Sequence, residues 1–264
     1  MQPIRYDELE SVYGPVRRLD AVATYVFWLT AVASVVFVMF QPDWPAACYR
    51  ALEIGIPILA LAHTFISNFN AFFLTPNAEK MRRRQLLSDA FDAPLTVEHT
   101  QSYYNNELQV PIHRLGANVL ENSFFAKNVC KRMQVTERLK AALILIIWLT
   151  FIFIRETPTA LLVVVTQLIF SGDVFFRAVR LEVLTVRLNR VYQNLYTLFL
   201  THSTESRKED LFSAHILDNF AYYECAKTGS SIVQSSRVFF SLNERLSNKW
   251  NKIAAKLRLN EALS

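Results

Sequence analysis

Residues 21–40, AVATYVFWLTAVASVVFVMF, decide the fold of this 264-residue chain, because they form an uncharged and mostly apolar run. A helix needs about 20 such residues, at about 1.5 Å each, to cross the hydrocarbon core of a bilayer. The leader before this run carries Asp7, Glu8, Glu10 and Asp20, and no small-residue cleavage motif follows it. These features argue against a cleaved signal peptide. The run therefore predicts a first, uncleaved transmembrane helix.

A second apolar stretch, roughly residues 51–74, follows the short segment QPDWPAACYR. Pro42, Trp44 and Pro45 in this segment suit an interfacial turn, since proline does not continue a helix and tryptophan favours the membrane interface. The two stretches together predict a helical hairpin in the membrane.

A second hairpin is predicted from residues 139–154 and 159–176, joined by RETP at 155–158. The first of these stretches is short for a span, but Lys140 and Arg155 can extend their charged ends towards water. Core helices of a soluble protein are the alternative for runs this short. Four such runs, paired by short loops, favour the membrane.

Lysine and arginine residues near the span ends predict the orientation, since such residues accumulate on the cytoplasmic side. The short return loops hold only Arg50 and Arg155. The opposite span ends are flanked by Arg17, Arg18, Lys80, Arg82, Arg83, Arg84, Lys131, Arg132, Arg138, Arg177 and Arg180. We therefore expect both termini and the long middle segment to lie in the cytoplasm.

The predicted fold is all-α, an integral membrane protein with four transmembrane helices and cytoplasmic helical regions. Its segments are the N-terminal segment with the first hairpin (1–76), a cytoplasmic helical segment (77–138), the second hairpin (139–176) and a cytoplasmic C-terminal helical region (177–264). Outside the membrane we expect helices from Asn77 to about Phe91 and from Pro111 to about Met133. The fourth span should continue as a helix to about His202, and two more helices should follow over about 209–228 and 231–260. Gly229 would cap the first of the last two helices, and Ser230 or Ser231 would begin the next.

The predicted last helix has an apolar seam and a basic ridge. The seam recurs at three and four residues and suits packing against a partner helix; it comprises Phe239, Leu242, Leu246, Trp250, Ile253 and Leu257. The ridge on its flank comprises Arg245, Lys249, Lys252 and Lys256. A solvated helix face is one interpretation of this ridge. Binding of anionic lipid headgroups or of an oligonucleotide backbone is the other, because repeated charges on a rod match repeated phosphates.

Polar side chains form a stripe on the second predicted span, where Glu53, His63, Ser67 and Asn70 fall within about a third of the circumference. Ionisable groups inside a membrane normally face a bundle interior or water, so the stripe is a candidate pore lining. Alternatively, Glu53 pairs with Arg50, and His63 and Asn70 hydrogen-bond to neighbouring helices.

Several kinds of site have no sequence signature in this chain. The five histidines show no zinc-ligand spacing, and Cys48, Cys130 and Cys225 form no C-x-x-C pair, so neither a metal site nor a disulfide framework is indicated. Glycine-rich phosphate loops and the G-x-S-x-G motif are also missing from the sequence. We expect a protein that is not an enzyme and needs no cofactor.

Two segments of the middle region carry a resemblance, namely QLLSDAFDAPLT at 85–96 and RLGANVLENSFFAKNVCKRM at 114–133. With the two hairpins and the helical C-terminal region, they resemble the four-transmembrane effectors of bacterial nucleotide-signalling anti-phage systems, of the Hailong type in particular. The resemblance implies a homo-oligomeric channel in the bacterial inner membrane that depolarises the host when a phage is sensed. It also implies gating by an oligonucleotide from a partner nucleotidyltransferase; duplex DNA is not expected as a ligand.

The sequence thus predicts a ligand-gated pore-forming effector, with the second span lining the pore. The gating anion would bind either to the basic ridge of the last helix or to Arg82, Arg83 and Arg84. The alternative function is a non-conducting membrane scaffold that recruits a cytoplasmic partner through the seam of the C-terminal helices.

Overall fold

The computed structural model describes residues 9–40, 45–96, 108–153, 166, 173–201 and 206–259. Within these ranges the backbone is helical and forms no strand, which confirms the all-α prediction. The helices are α1 (Leu9–Phe40), α2 (Ala46–Phe69), α3 (Thr75–Phe91), α4 (Pro111–Phe153), α5 (Asp173–Thr201), α6 (Ser206–Ser230) and α7 (Ser236–Lys256).

The chain divides into two compact units. The apolar unit comprises Tyr13–Thr75 and Val135–Val179, and the core unit comprises the described parts of Met1–Val12, Pro76–Gln134 and Arg180–Ser264. The first unit therefore contains the described parts of the predicted hairpins, and the second contains most of the predicted cytoplasmic helices.

Among the described residues, two helices are long and apolar enough to cross a membrane, over Ser11–Phe37 and Ala46–Phe91. These helices contain the first and second predicted spans. The third predicted span continues α4 up to Phe153, and most of the fourth lies outside the described residues. Two candidate spans are therefore observed, and the second hairpin stays a prediction.

Large apolar side chains line one face of α2 and of the turn that follows it, and no helix in the described part of the chain covers them. They recur at three and four residues and remain exposed: Ile54, Ile58, Leu61, Phe65, Phe69 and Phe72. A face of this kind is costly in water and suits contact with lipid.

The hydroxyl groups of these apolar helices are satisfied within their own helix. The side chain of Thr30 donates to the Val26 carbonyl at 2.7 Å, and that of Thr64 donates to the Ala60 carbonyl at 2.9 Å. Because an unpaired polar group is expensive in hydrocarbon, this bonding makes both helices compatible with a membrane.

The core unit has a dense interior, in contrast to the apolar unit. Leu120 of α4, Leu188 of α5 and Ile216 of α6 are completely buried. Gly116 allows α4 and α6 to approach closely, because a Cβ atom at this position would lie 2.9 Å from the Ile216 Cδ1 atom. Burial of each large aliphatic side chain contributes about 1.5–3 kcal/mol, so this interior stabilises the unit.

The helix boundaries around α7 differ from the prediction. Helix α6 runs through Gly229 to Ser230, and α7 begins only at Ser236. Ser235 is the N-cap, and its hydroxyl accepts a hydrogen bond from the Val238 N–H at 3.4 Å. The segment between the helices packs on α4, where the Gln234 side chain donates to the Ala126 carbonyl at 3.3 Å. This tertiary contact displaces the start of the helix from Ser230 or Ser231, which local sequence favoured.

Two predicted separations between helices are also wrong. Helix α4 runs unbroken from Pro111 to Phe153, since no glycine or proline interrupts it between Met133 and Leu139. Helices α2 and α3 are joined by a five-residue π-helical segment, Asn70–Leu74. This wider segment ends two residues before Pro76, whose ring does not fit a regular α-turn. The backbone therefore stays helical from Ala46 to Phe91.

Candidate functional site

The polar stripe of α2 faces α1 over part of its length. The His63 ring lies 5.5 Å from the Phe27 ring of α1, and its Nε2 atom lies 3.3 Å from the Ser67 Oγ atom. Glu53 is exposed near the other end of the helix. The structure thus places His63 beside the neighbouring helix of the same chain, which is the arrangement of the helix-packing alternative.

Asn70 occupies a special position at the start of the π-helical segment. Its amide nitrogen donates to the Val16 carbonyl of α1 at 3.1 Å, and the side chain retains only 8% of its surface. Its amide oxygen is buried and has no hydrogen-bond partner among the described residues. Asn70 therefore ties the end of α2 to the start of α1, at the point where the helix changes its winding.

A second polar contact joins the same end of α1 to α5. The Arg177 guanidinium donates to both carboxylate oxygens of Asp20, at 3.1 and 3.2 Å. The start of the first apolar stretch is thus hydrogen-bonded at two points. Val16 contacts Asn70 at the end of the second stretch, and Asp20 contacts Arg177 directly after the fourth.

Arg82 lies in a largely buried ionic cluster and not on an open surface. Its guanidinium donates to Glu79 at 2.8 Å and to both oxygens of Glu224 in α6 at 2.8 Å. Lys227 also lies 4.0 Å from Glu79, and the Tyr223 ring centre is 5.3 Å from the guanidinium carbon. These carboxylates already neutralise the charge of Arg82, so its predicted role in anion binding competes with its role in fixing α3 to α6.

The other predicted anion-binding residues are more accessible. Arg83 is partly buried and Arg84 is exposed. Arg245, Lys249, Lys252 and Lys256 are all exposed along α7. The seam beside this ridge is used within the chain, where Leu246, Trp250 and Leu257 are buried. The basic ridge is therefore available to an anion, whereas the seam is occupied.

A cation and aromatic cluster beside α7 has no counterpart in the sequence predictions. The Lys127 Nζ atom lies 3.1 Å from the centre of the Tyr192 ring and 6.0 Å from that of Phe124. The Tyr192 ring stacks on Tyr196 at 5.9 Å, and the Lys256 Nζ atom lies 5.7 Å from the Tyr196 ring centre. Lys256 of the predicted basic ridge thus lies beside a cluster formed by residues of α4 and α5.

Burial changes the acid–base properties of this cluster. It lowers the pKa of Lys127 to about 8, and the neighbouring charge of Lys131 acts in the same direction. Burial also raises the pKa of Tyr192 and that of the Cys130 thiol. The sequence shows only that Tyr192 and Tyr196 are four residues apart and can share a helix face. It does not show which lysine faces them, because that depends on the packing of α4 against α5.

The described residues contain no group of histidine, cysteine, aspartate or glutamate side chains that could hold a metal ion. No family model, curated protein or solved structure matches the chain. Its function is therefore inferred from these clusters and from the two candidate spans.

Proposed function

We propose that the protein is the subunit of an oligomeric, ligand-gated pore-forming effector of bacterial anti-phage defence, with an oligonucleotide from a partner nucleotidyltransferase as its ligand. The observation that carries the proposal is the unbroken helical backbone from Ala46 to Phe91. Its first part has an exposed apolar face and the polar stripe, and its last part is fixed to α6 through Arg82 and Glu224. A ligand that shifts α6 would therefore act on the span directly.

In this mechanism the π-helical segment is the point where the helix can change. π-Helical turns are frequent at functional sites, because their extra residue can be redistributed along the helix. A rotation of α2 at this segment would break the Asn70 bond to Val16 and turn the polar stripe away from α1. In an oligomer, repeated stripes around a symmetry axis would line the pore.

Contacts within the apolar unit support the proposed topology. Val16, Asn70, Asp20 and Arg177 come together in two hydrogen-bonded pairs. If all four apolar stretches cross the membrane, these pairs bring the start of the first and the ends of the second and fourth to one side. This arrangement agrees with four spans in the bacterial inner membrane and with both termini in the cytoplasm.

Ion flux through liposomes that contain the purified protein tests the proposal. We expect wild-type protein to conduct, and we expect the flux to change more than tenfold in Asn70→Leu and in His63→Leu. Asn68→Leu is the matched control, because Asn68 is exposed and its side chain bonds only within its own helix, to the Thr64 carbonyl at 2.8 Å. Tight vesicles with and without short oligonucleotides would contradict the pore.

The scaffold alternative has less support. It requires the seam of α7 to bind another protein, and Leu246 and Trp250 of that seam retain only 2% of their surface each. Recruitment through the seam would therefore require α7 to leave the core unit.

A further inference from the structure

Lys127 is a buried lysine for which the described part of the chain provides no counter-charge. The residue retains 8% of its surface, and among the described residues no carboxylate pairs with it. Its one hydrogen bond is to the side-chain oxygen of Asn189 in α5, at 3.3 Å. Buried charges are usually paired or bound to a ligand, because their removal from water is costly.

The surroundings of Lys127 do not remove this imbalance. An ammonium group has three N–H donors, and here the Asn189 oxygen and the face of Tyr192 take up part of that capacity. Lys131, one helical turn further along α4, is exposed and adds a like charge. Lys256 contributes a further ammonium group above the neighbouring ring of Tyr196. Three ammonium groups therefore lie in or beside this cluster.

We propose that Lys127, Tyr192, Tyr196 and Lys256 form a binding site for a phosphate-bearing ligand of the nucleotide type. A phosphate group at Lys127 would supply the missing counter-charge, and its oxygen atoms would accept a hydrogen bond from the remaining N–H group. The inference rests on the proposed function, since it locates the ligand site of the gated pore.

The tyrosines favour a nucleotide over other phosphate sources. Tyr192 and Tyr196 are stacked and both remain partly exposed. Sites for single-stranded nucleic acid combine cations for the backbone with aromatic rings for the bases. A lipid headgroup would use the lysines, but it has no base that could stack on the rings.

Binding to the full-length protein in nanodiscs of zwitterionic lipid tests the site. The probe is a fluorescent single-stranded oligonucleotide of a few nucleotides, and the competitors are pyrophosphate, a mononucleotide and vesicles of anionic lipid. We expect saturable binding that weakens at least tenfold in Lys127→Met and at least threefold in Tyr196→Leu. Lys131→Met is the matched control for charge, because it removes one exposed lysine of the same helix; we expect less than a threefold change.

The competitors identify the source of the phosphate. Competition by the mononucleotide at lower concentration than by pyrophosphate supports the nucleotide-type site. Stronger competition by anionic vesicles than by either soluble phosphate overturns it in favour of a lipid surface. Equal weakening in Lys127→Met and Lys131→Met also overturns it, because it would indicate only general attraction between charges.

A second measurement uses the wild-type protein and does not depend on the folding of a variant. Acylation of lysine amines at pH 8, followed by peptide mass analysis, reports the accessibility of Lys127. We expect the oligonucleotide to protect Lys127 more than Lys80, which is exposed on α3. Absence of selective protection overturns the site. Oligonucleotide binding without ion flux would refute the pore and support the site. Ion flux without oligonucleotide binding would support the pore and refute the site.

Discussion

The Lys127 ammonium group has a pKa of about 8, against 10.5 for an unperturbed lysine, because burial and Lys131 disfavour its charge. Between these two values the unfolded chain holds a proton that the folded chain has lost. The free energy of unfolding contributed by Lys127 therefore rises with pH over this interval. Lys127→Met removes the cation, so we expect it to be more stable than wild type at pH 7, by about 1–2 kcal/mol after allowance for solvent screening.

Thermal unfolding of both proteins in detergent, followed from pH 7 to pH 10.5, checks this expectation. The gain in the variant should shrink as wild-type Lys127 loses its proton. The Cys130 thiol and the Tyr192 hydroxyl have raised pKa values and act in the opposite direction at high pH. Titration that is common to the two proteins is subtracted in the difference between them. A difference that does not depend on pH would contradict a buried, charged Lys127.

Gly116 is the second residue that we expect to control stability, because its lack of a side chain allows close packing. A Cβ atom there would lie 2.9 Å from the Ile216 Cδ1 atom and 3.1 Å from the Phe199 Cζ atom. Gly116→Leu should lower the free energy of unfolding by about 1–3 kcal/mol through overpacking. Gly229→Leu is the control, because a Cβ atom at Gly229 meets nothing within 4 Å. Equal loss in the two variants would refute close packing of α4 on α6.

At the residue scale, sequence patterns predicted faces of helices but not their neighbours. The spacing of Glu53, His63, Ser67 and Asn70 placed them on one face, and the structure brings His63 and Asn70 of this set against α1. Lys127 and Tyr192 lie on different helices, so no local spacing could reveal their contact. Arg82 looked like part of a basic run, and its buried acidic partners became visible only with α6 in place.

The contact of α3 with α6 is the element-scale feature that we expect to matter most. Arg82→Leu would remove the hydrogen bonds that Arg82 donates to the buried carboxylates of Glu79 and Glu224. Removal of one partner from a buried ion pair costs about 3–5 kcal/mol. Chemical unfolding of Arg82→Leu should show a loss of this size.

Arg84→Leu provides the control for this element, because Arg84 is exposed two residues further along α3. Its effect should stay within about 0.5 kcal/mol. The double variant Arg82→Leu with Glu224→Leu should recover part of the loss, since it removes an unpaired buried carboxylate together with its partner. Equal effects of Arg82→Leu and Arg84→Leu would show that the ionic cluster does not hold the two helices together.

Helix ends were predictable where local chemistry decides them. The end of α3 at Phe91 and the start of α4 at Pro111 agree with the prediction, because the helix cannot readily continue into the residue before Pro94 and proline suits a first helical turn. The start of α7 was not predictable, since three serines compete as N-caps and the contact of Gln234 with α4 selects Ser235. Pro76 is a sequence signal for an irregular helix near the π-helical segment. Whether such a proline ends the helix or only widens it depends on the packing of the helix around it.

For the whole molecule, the division into an apolar and a core unit follows the blocks of hydropathy in the sequence. The uncharged runs suit burial in lipid, as the proposed topology requires, whereas periodic apolar residues of α5 and α7, such as Leu188 and Leu246, are buried inside the core unit. The proposed arrangement of subunits around a pore would depend on contacts between copies, and no pattern in the sequence of one chain identifies those contacts.

The proposed topology can be tested at the same scale with the natural cysteines. Cys48 is exposed at the start of α2, in the predicted periplasmic turn, and Cys225 is exposed on α6, in the predicted cytoplasmic region, while Cys130 is buried. A maleimide coupled to a polymer too large for any pore should label Cys48 in intact spheroplasts and leave Cys225 unmodified. Both should react after lysis, and Cys130 only after denaturation. Labelling of Cys225 before lysis would place the core unit outside the cell and exclude gating by a cytoplasmic ligand.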